Sequence, residues 1–594
     1  MIRRSLVLLA TTAITTGCAR DWVESRSGLA EADVDGLRVI EALDLEGRSA
    51  PVEAAEGDAD ADEDARIEGL RAMLADLDPR TFDVGLDEFR VSLLENNLEL
   101  EVSRFDPQIA ATRVESEYGR LDATFGLSTT FAQEVQDASE NNLPDLALES
   151  GYDEAEATLD VPLATGGSIE LSADLYRYET QYLADPPVPG LTGDPTVAYP
   201  SNLSAEVTLP ILRGAGYEAN LGSIAIAAYD QRISQVELRS MMTELLASSE
   251  RVYWQLVRSW RSAKISVELL ELARQQVLDT EKLAEAGVVP ASQRYRARLT
   301  VDQRKAAVFE SELDLRRDMR SVKVIMNRPD LPLDSGRIVR PVTAPLLRSF
   351  VLDKAVLATL AIDNRAEIMK AALQLEQDDV RAAVARNALL PKLDFSGEVG
   401  ALGIGLDGAG DSIASLFDGE YPVTWSIGLD FSVPIGNRTA EANYQSAVIG
   451  RLQTLSRQRE LSLAIAQDVY DSVDRLELTW ARLLTHRRAR EDAERNLEAT
   501  RMLFRSGGAT ALDVALAISD VGDARMAVLD SEITYQIAII DLAAATGTTL
   551  GRQGVEVLDR RRRSSTQDST EPRSTESRSE PPPASVLESP RRPR

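Results

Sequence analysis

Leu203-Ser204-Ala205-Glu206-Val207-Thr208-Leu209-Pro210-Ile211-Leu212-Arg213-Gly214 decides the fold, because its plan returns as Trp425-Ser426-Ile427-Gly428-Leu429-Asp430-Phe431-Ser432-Val433-Pro434-Ile435-Gly436. In both stretches apolar residues alternate with polar ones and end at a proline, then an isoleucine, then a glycine. Pro210 and Pro434 lie 224 residues apart. A long helical pattern follows each, broken at Gly287 in the first half and at Gly507-Gly508 in the second, 220 residues on. Self-similarity at a fixed spacing has to be read before any single element. It predicts two internal repeats, each made of strands followed by a long helix and a shorter returning one.

Working outward, the same alternation recurs. Leu121, Ala123, Phe125, Leu127 and Phe131 alternate with Asp122, Thr124, Gly126, Ser128 and Thr130. Ala155 to Leu163 and Ile169 to Leu175 do so on either side of Thr165-Gly166-Gly167, and Leu393 to Val399 opens the second set. Period-two alternation puts one chemical class on each face of a sheet. Runs near ten residues match the ~9–11 of a tilted strand crossing a bilayer. The polar face carries carboxylates, which suits a water-filled lumen. A soluble antiparallel sheet with one wet face gives the same pattern, but it needs an apolar partner layer. The neighbouring helices are too long to curl over it, so the membrane reading is preferred. The count is four to six strands per chain, and a closed transmembrane barrel needs at least about eight. Open edges cannot sit in lipid, so the reading requires several copies.

The helical stretches are rods. Tyr217 to Ala286 contains no proline and is interrupted only at Gly222, a span of about 100 Å at helical rise. Leu238, Met242, Leu245, Ser249, Val252 and Leu256 fall in steps of four and three, the spacing of a coiled-coil seam. Thr439 to Ser506 is a second rod, with shorter partners at Ala291 to Asn327 and Ala509 to Thr546. The glycine breaks therefore stand at the tips of two helical hairpins.

At the N-terminus Arg3 and Arg4 precede a short apolar run, and the chain's one cysteine, Cys18, follows Thr15-Thr16-Gly17. The run is well short of the ~20 residues of a spanning helix and reads as a secretory signal. A small residue before Cys looks like a bacterial lipoprotein signal, with acylation at Cys18; ordinary cleavage after Ala19 is the alternative. With 96 acidic against 65 basic residues, a net charge of -31, the chain repels nucleic acid. Glu53 to Arg66 is acidic and poor in large apolar groups, so it reads as a disordered linker. From about Arg560 to Arg594 the composition is that of a solvated tail.

These residues resemble the TolC-like outer-membrane efflux protein family over about Asp83 to Gly547. The strand-to-helix junctions Pro210 to Gly214 and Pro434 to Gly436 are similar to the family signature, as is Ala388-Leu389-Leu390-Pro391-Lys392-Leu393. The most specific piece is Leu503-Phe504-Arg505-Ser506-Gly507-Gly508-Ala509-Thr510-Ala511-Leu512-Asp513-Val514, similar to the family's second hairpin tip. The first tip departs from it, with Gln293 at the family's Asp position. The resemblance implies an α+β membrane protein. It would be a homotrimer whose outer-membrane β-barrel continues into a long periplasmic α-helical barrel. It implies an outer-membrane channel of a tripartite efflux or secretion system, a passive conduit meeting a periplasmic adaptor (membrane fusion) protein and driven by an inner-membrane pump. Gly287, Gly507, Gly508 and Asp513 would then lie at the periplasmic entrance. Asp513 would form a carboxylate ring there, and Leu516 stands where a second acid is common. Alternatively Asp513 is a first-turn acid favoured by the helix dipole. The family norm is four strands per chain; the alternation here counts six.

Domain boundaries follow: a signal over 1–17, an N-terminal segment with its acidic linker over 18–82, repeats over 83–340 and 341–550, and a tail over 551–594. Catalysis, cofactors and metals find no support. The single histidine, His486, sits on a helix beside Arg487 and Arg488, and Thr165-Gly166-Gly167 lacks the lysine of a phosphate loop. A periplasmic coiled-coil adaptor or scaffold of an export complex is the alternative function, and it would be extractable without detergent. Intact-mass measurement of the mature protein should show a chain beginning at an acylated Cys18; an unmodified N-terminus at Arg20 would exclude the anchor.

Overall fold

The structure, a computed structural model, describes residues 52–75, 80–137, 146–184, 194–417 and 423–552. The signal, Cys18 and the tail from 553 lie outside the described residues. The chain divides after Ala72. In the N-terminal unit the stretch read as a linker is helical, α1 (Val52–Leu74). Alanine, frequent in this stretch, has the highest helix propensity. Low hydrophobicity argued against a core, not against a helix.

The second unit opens with β1 (Thr81–Val84) and three short helices, α2 (Leu86–Asn96), α3 (Leu98–Ser103) and α4 (Asp106–Tyr118). Then come β2 (Thr124–Asp137), β3 (Leu146–Pro162), β4 (Ser168–Ala184) and β5 (Thr196–Pro210). The first rod is α5 (Gly222–Glu285), 64 residues, returning as α6 (Gln293–Met326). After β6 (Ile338–Pro341), α7 (Lys354–Asn364) and α8 (Ala366–Asn387) lead into β7 (Lys392–Gly405). A small helix, α9 (Ala409–Ser415), precedes β8 (Val423–Ser432). The second rod is α10 (Arg438–Arg505), 68 residues, returning as α11 (Ala511–Ala545).

Six strands form one antiparallel sheet in the order β2-β3-β4-β5-β7-β8. The pair beyond the family norm, β3 and β4, is inserted between β2 and β5. The sheet's apolar set faces one way, and its large groups on the outer strands stay uncovered: Phe125 is 69% exposed, Trp425 74% and Leu429 69%. The strands run past the stretches where alternation is legible. Beyond Ala155 and Leu175 the apolar set gives way to Asp153 and Arg177, paired at 3.3 Å across the two strands. The hydrophobic signal stops where charge begins, while the ladder hydrogen bonds continue.

Sheet and rods are joined by glycines in the left-handed region, Gly214 (φ 85) and Gly216 (φ 92) in the first half and Gly436 (φ 94) in the second. The junctions hold each other. Ile211 N donates to Leu393 O at 2.7 Å and Gly214 N to Asn387 Oδ1 at 2.7 Å. The β3–β4 turn is fastened to the same place through Gly216 N to Thr165 O at 3.0 Å.

In the rods, Leu245, Ser249 and Leu256 of the expected seam are buried, joined by Leu246, Tyr253, Trp254 and Val257. The buried stripe is wider than a two-helix seam because α5 packs on α6, α8 and α11. Arginines lace α5 to α11, with Arg258–Asp530 at 2.6 Å and Arg251–Asp541 at 2.7 Å. The two halves are clasped by β1, which pairs in parallel with β6. Tyr253 Oη reaches Val84 O there at 2.9 Å.

A side chain at Gly166 (φ 100) would run into Gly214 O and the Asn220 side chain. Gly166→Val should destabilise the junction by ~1–3 kcal/mol, the cost of a strained left-handed position, and should lower the temperature of thermal unfolding. Gly450→Val, in open space on the second rod, should leave that temperature nearly unchanged.

Candidate functional site

The polar face of the sheet is ordered by its register. The antiparallel pairings place Thr124 opposite Asp160, Asp160 opposite Glu170, Glu170 opposite Glu206, Glu206 opposite Glu398, and Glu398 opposite Ser426. Four carboxylates thus stand in one row across four adjacent strands. Like charges directly opposite each other destabilise a sheet, so such a row persists only where water solvates it. Hydroxyls support two of the four: Thr208 Oγ1 lies 3.2 Å from Glu206 Oε1, and Ser426 Oγ lies 3.3 Å from Glu398 Oε2. No salt bridge to any of the four occurs among the described residues.

Each of these acids was legible as a polar-face residue. Their alignment was not, because alternation says nothing of register. The β3–β4 turn carries the missing signal: pairing Pro162 with Ser168 across it puts Asp160 opposite Glu170.

At the far end, the hairpin tips lie together. Gly287 (φ 76) follows α5, with Val288 N donating to Leu283 O at 2.9 Å. Gly507 (φ 79) follows α10, with Gly508 N donating to Leu503 O at 2.8 Å. Both are glycine-ended helix stops, in which the left-handed residue lets the chain turn back onto the last free carbonyls. The two tips share one small core containing Leu269, Val289, Phe504, Val514 and Ile518. Gln293 accepts a hydrogen bond from Ala511 N at 2.9 Å, so the residue that departs from the family pattern joins the first tip to the start of α11. Arg505 reaches Asp279 at 3.5 Å, and Arg501 donates to Leu272 O at 3.5 Å. Burial holds the Arg501 pKa below its usual value.

Asp513 forms a capping box with Thr510. Its Oδ2 accepts from Thr510 N at 2.7 Å, while the Thr510 hydroxyl accepts from Asp513 N at 3.3 Å. The side chain is exposed. The Thr510 backbone N–H, then its hydroxyl, hold the carboxyl below the usual carboxylate range. Geometry therefore gives Asp513 the helix-start role outright, and its exposure leaves the carboxylate open to solvent. Leu516 is also exposed. His486 accepts from Arg482 Nε at 3.3 Å. Among the described residues no group of three or more metal-binding side chains converges, and no helix is long and apolar enough to cross a membrane.

A sheet with one apolar and one acidic face, running into paired rods, can be compared with known proteins. Residues 357–548 match the outer membrane efflux protein family. The matched domain covers α7 to α11, including the second junction and the second tip. Among solved structures, the outer-membrane channel OprN is similar with a TM-score of 0.56 and 15% identity, over 81% of this chain and 92% of that one. The CmeC outer membrane channel of Campylobacter jejuni gives 0.56 and 14%, over 81% and 89%. The outer membrane protein VceC of Vibrio cholerae gives 0.55 and 15%, over 78% and 96%. No curated protein matches. At such identities the likeness carries the fold alone: a helix-rich α+β chain folded like these structures, with the likeness extending over both halves beyond the efflux-protein domain.

Because the cap depresses the Asp513 pKa, the stability it lends is present above the unfolded carboxyl's pKa and is lost as pH falls through the lower folded value. Thr510→Ala should remove the hydroxyl's share of that depression and leave the larger share, from the backbone N–H of residue 510, in place. An NMR or pH-jump titration should then show the Asp513 carboxyl protonating at a higher pH than in the parent protein.

Proposed function

We propose that this chain is the outer-membrane channel of a tripartite efflux or secretion system, assembled as a homotrimer and anchored in addition through acylated Cys18. The observation that carries the reading is the single sheet with a bare apolar face, an acidic row on the other face, and two unpaired edges at β2 and β8. Hydrocarbon tolerates the apolar face but not unpaired strand edges, since nothing there hydrogen-bonds the free backbone groups. Pairing β8 of one copy with β2 of the next satisfies both edges. Three copies of six strands give eighteen, the size range in which barrels keep an aqueous channel. The four-strand family norm would give twelve.

The rods then extend about 100 Å into the periplasm. Their tips meet an adaptor and an inner-membrane pump, which supplies the energy. The acidic row faces the lumen and Asp513 stands at the entrance; rings of carboxylates favour cations. The chain supplies a conduit and no chemistry.

Reconstituted protein should behave as a detergent-requiring trimer and conduct cations in preference to anions in planar bilayers. A monomer extracted without detergent would support the adaptor or scaffold reading instead. Glu206→Gln with Glu398→Gln should reduce cation selectivity. Asp513→Asn should do so as well and weaken block by multivalent cations, with Asp520→Asn as control. If Thr510→Ala reproduces the effect of Asp513→Asn while the charge remains, Asp513 acts only as a cap. Leu429→Arg, on the apolar face, should cost ~2–4 kcal/mol near the bilayer midplane, read as loss of assembled trimer. Asp430→Asn should leave assembly intact.

A further inference from the structure

The connection between β7 and β8 does not stand free above the sheet. Its helix, α9, folds back onto the apolar face. Ser412 and Ser201 are buried against each other, their hydroxyls 2.7 Å apart, and Ser201 Oγ also donates to Ser412 O at 3.1 Å. Ser415 Oγ accepts from Ile404 N at 3.1 Å. A side chain on Gly403 would strike the Ser412 carbonyl, and one on Gly405 would strike the backbone of Gly408 and Ser412. Register fixes the face. Gly403 pairs with Ser201, one alternate step beyond Ala401 and Leu203, and these belong to the same set as Val399 and Leu209. The helix is therefore seated at the outer end of the apolar band.

Away from this seat α9 and its flank show large apolar groups to the outside. Ile413 on the helix is 48% exposed, and Phe417, in the turn two residues beyond the helix end, is 76% exposed. Single exposed apolar residues are ordinary. These sit on, and directly after, a helix held by a buried serine pair and two glycine clearances, and they continue a band that includes Val423 and Trp425 on the next strand. The seat is on β7 and β5, away from the β8 edge at which a neighbouring copy would pair.

We propose that α9 is an interfacial foot, with Ile413 and Phe417 inserted among lipid acyl chains at the outer headgroup boundary. Short helices with one apolar face bury that face at this depth, and tryptophan marks the same level. The proposal rests on the reading of the apolar face as lipid-facing. The foot would fix the height of the barrel at its outer rim, on the side opposite the rods.

The test uses full-length protein in phosphatidylcholine vesicles, with Cys18→Ala as background. Single cysteines at Phe417, Ile413, Leu429 and Asp520 carry an environment-sensitive fluorophore, and nitroxide-labelled lipid is the quencher. The expected result is loss of most of the fluorescence at Phe417 and Ile413, as at Leu429, with none at Asp520. Adding Ser412→Ala should reduce quenching at Phe417 and leave Leu429 unchanged. Quenching at Leu429 without quenching at Phe417 and Ile413 would overturn the foot and keep the barrel. No quenching at any of the three sites would overturn both. Trimer formation on gels, checked for each variant, separates misfolding from exposure.

Discussion

A backbone amide at the edge of a sheet in hydrocarbon can be satisfied only by another strand. Everything else in this chain is arranged around that constraint. Six strands satisfy one another internally and leave two edges, so in the proposed barrel one copy cannot be the working unit. The apolar face and the acidic row are consequences of the same geometry, since a strand that alternates must present something to each side. In the proposed barrel, oil takes one set and water the other. The row of carboxylates is costly in itself, and its persistence across four strands marks the face that water must reach.

The rods obey a different economy. Each is far longer than any globular core could bury, so stability is spread along the length as a stripe of apolar contacts flanked by arginine–carboxylate pairs. Such partly exposed pairs contribute little singly, and their value lies in fixing which helix sits beside which. The hairpin tips and the strand-to-helix junctions are where helical regularity ends. Both use glycines with positive φ, because only a residue without a side chain turns there without strain.

Much of this was written in the sequence. Alternation located all six strands, and the absence of proline, with four-three steps on the first, located both rods to within a few residues. Gly287 and Gly507 marked the tips, as Gly214 and Gly436 marked the junctions. What failed did so for physical reasons. The upper parts of β2, β3 and β4 leave the apolar band, so the hydrophobic period vanishes while the ladder persists. The acidic stretch of α1 was read by its lack of a core, which does not forbid a helix. The clasp of β1 with β6, the acidic row and the seat of α9 are products of register and tertiary approach. Asp513 was open between two roles; the capping box settles that it starts a helix, and leaves its carboxylate free to face water as well.

The central joint of the sheet, β5 against β7, has a consequence in time. Tyr199 pairs with Gly405, and between them lie the whole first rod and its return. Pairings of such long sequence separation form slowly, because the loop must close before any ladder bond rewards it. The strands β2 to β5 follow one another directly in sequence and can pair before β7 exists, leaving β5 bare. Until the second half arrives, that bare strand is a template for a wrong partner. The first rod thus sets how long the β5 edge would wait for its partner, and a folding helper that shields strand edges would act there.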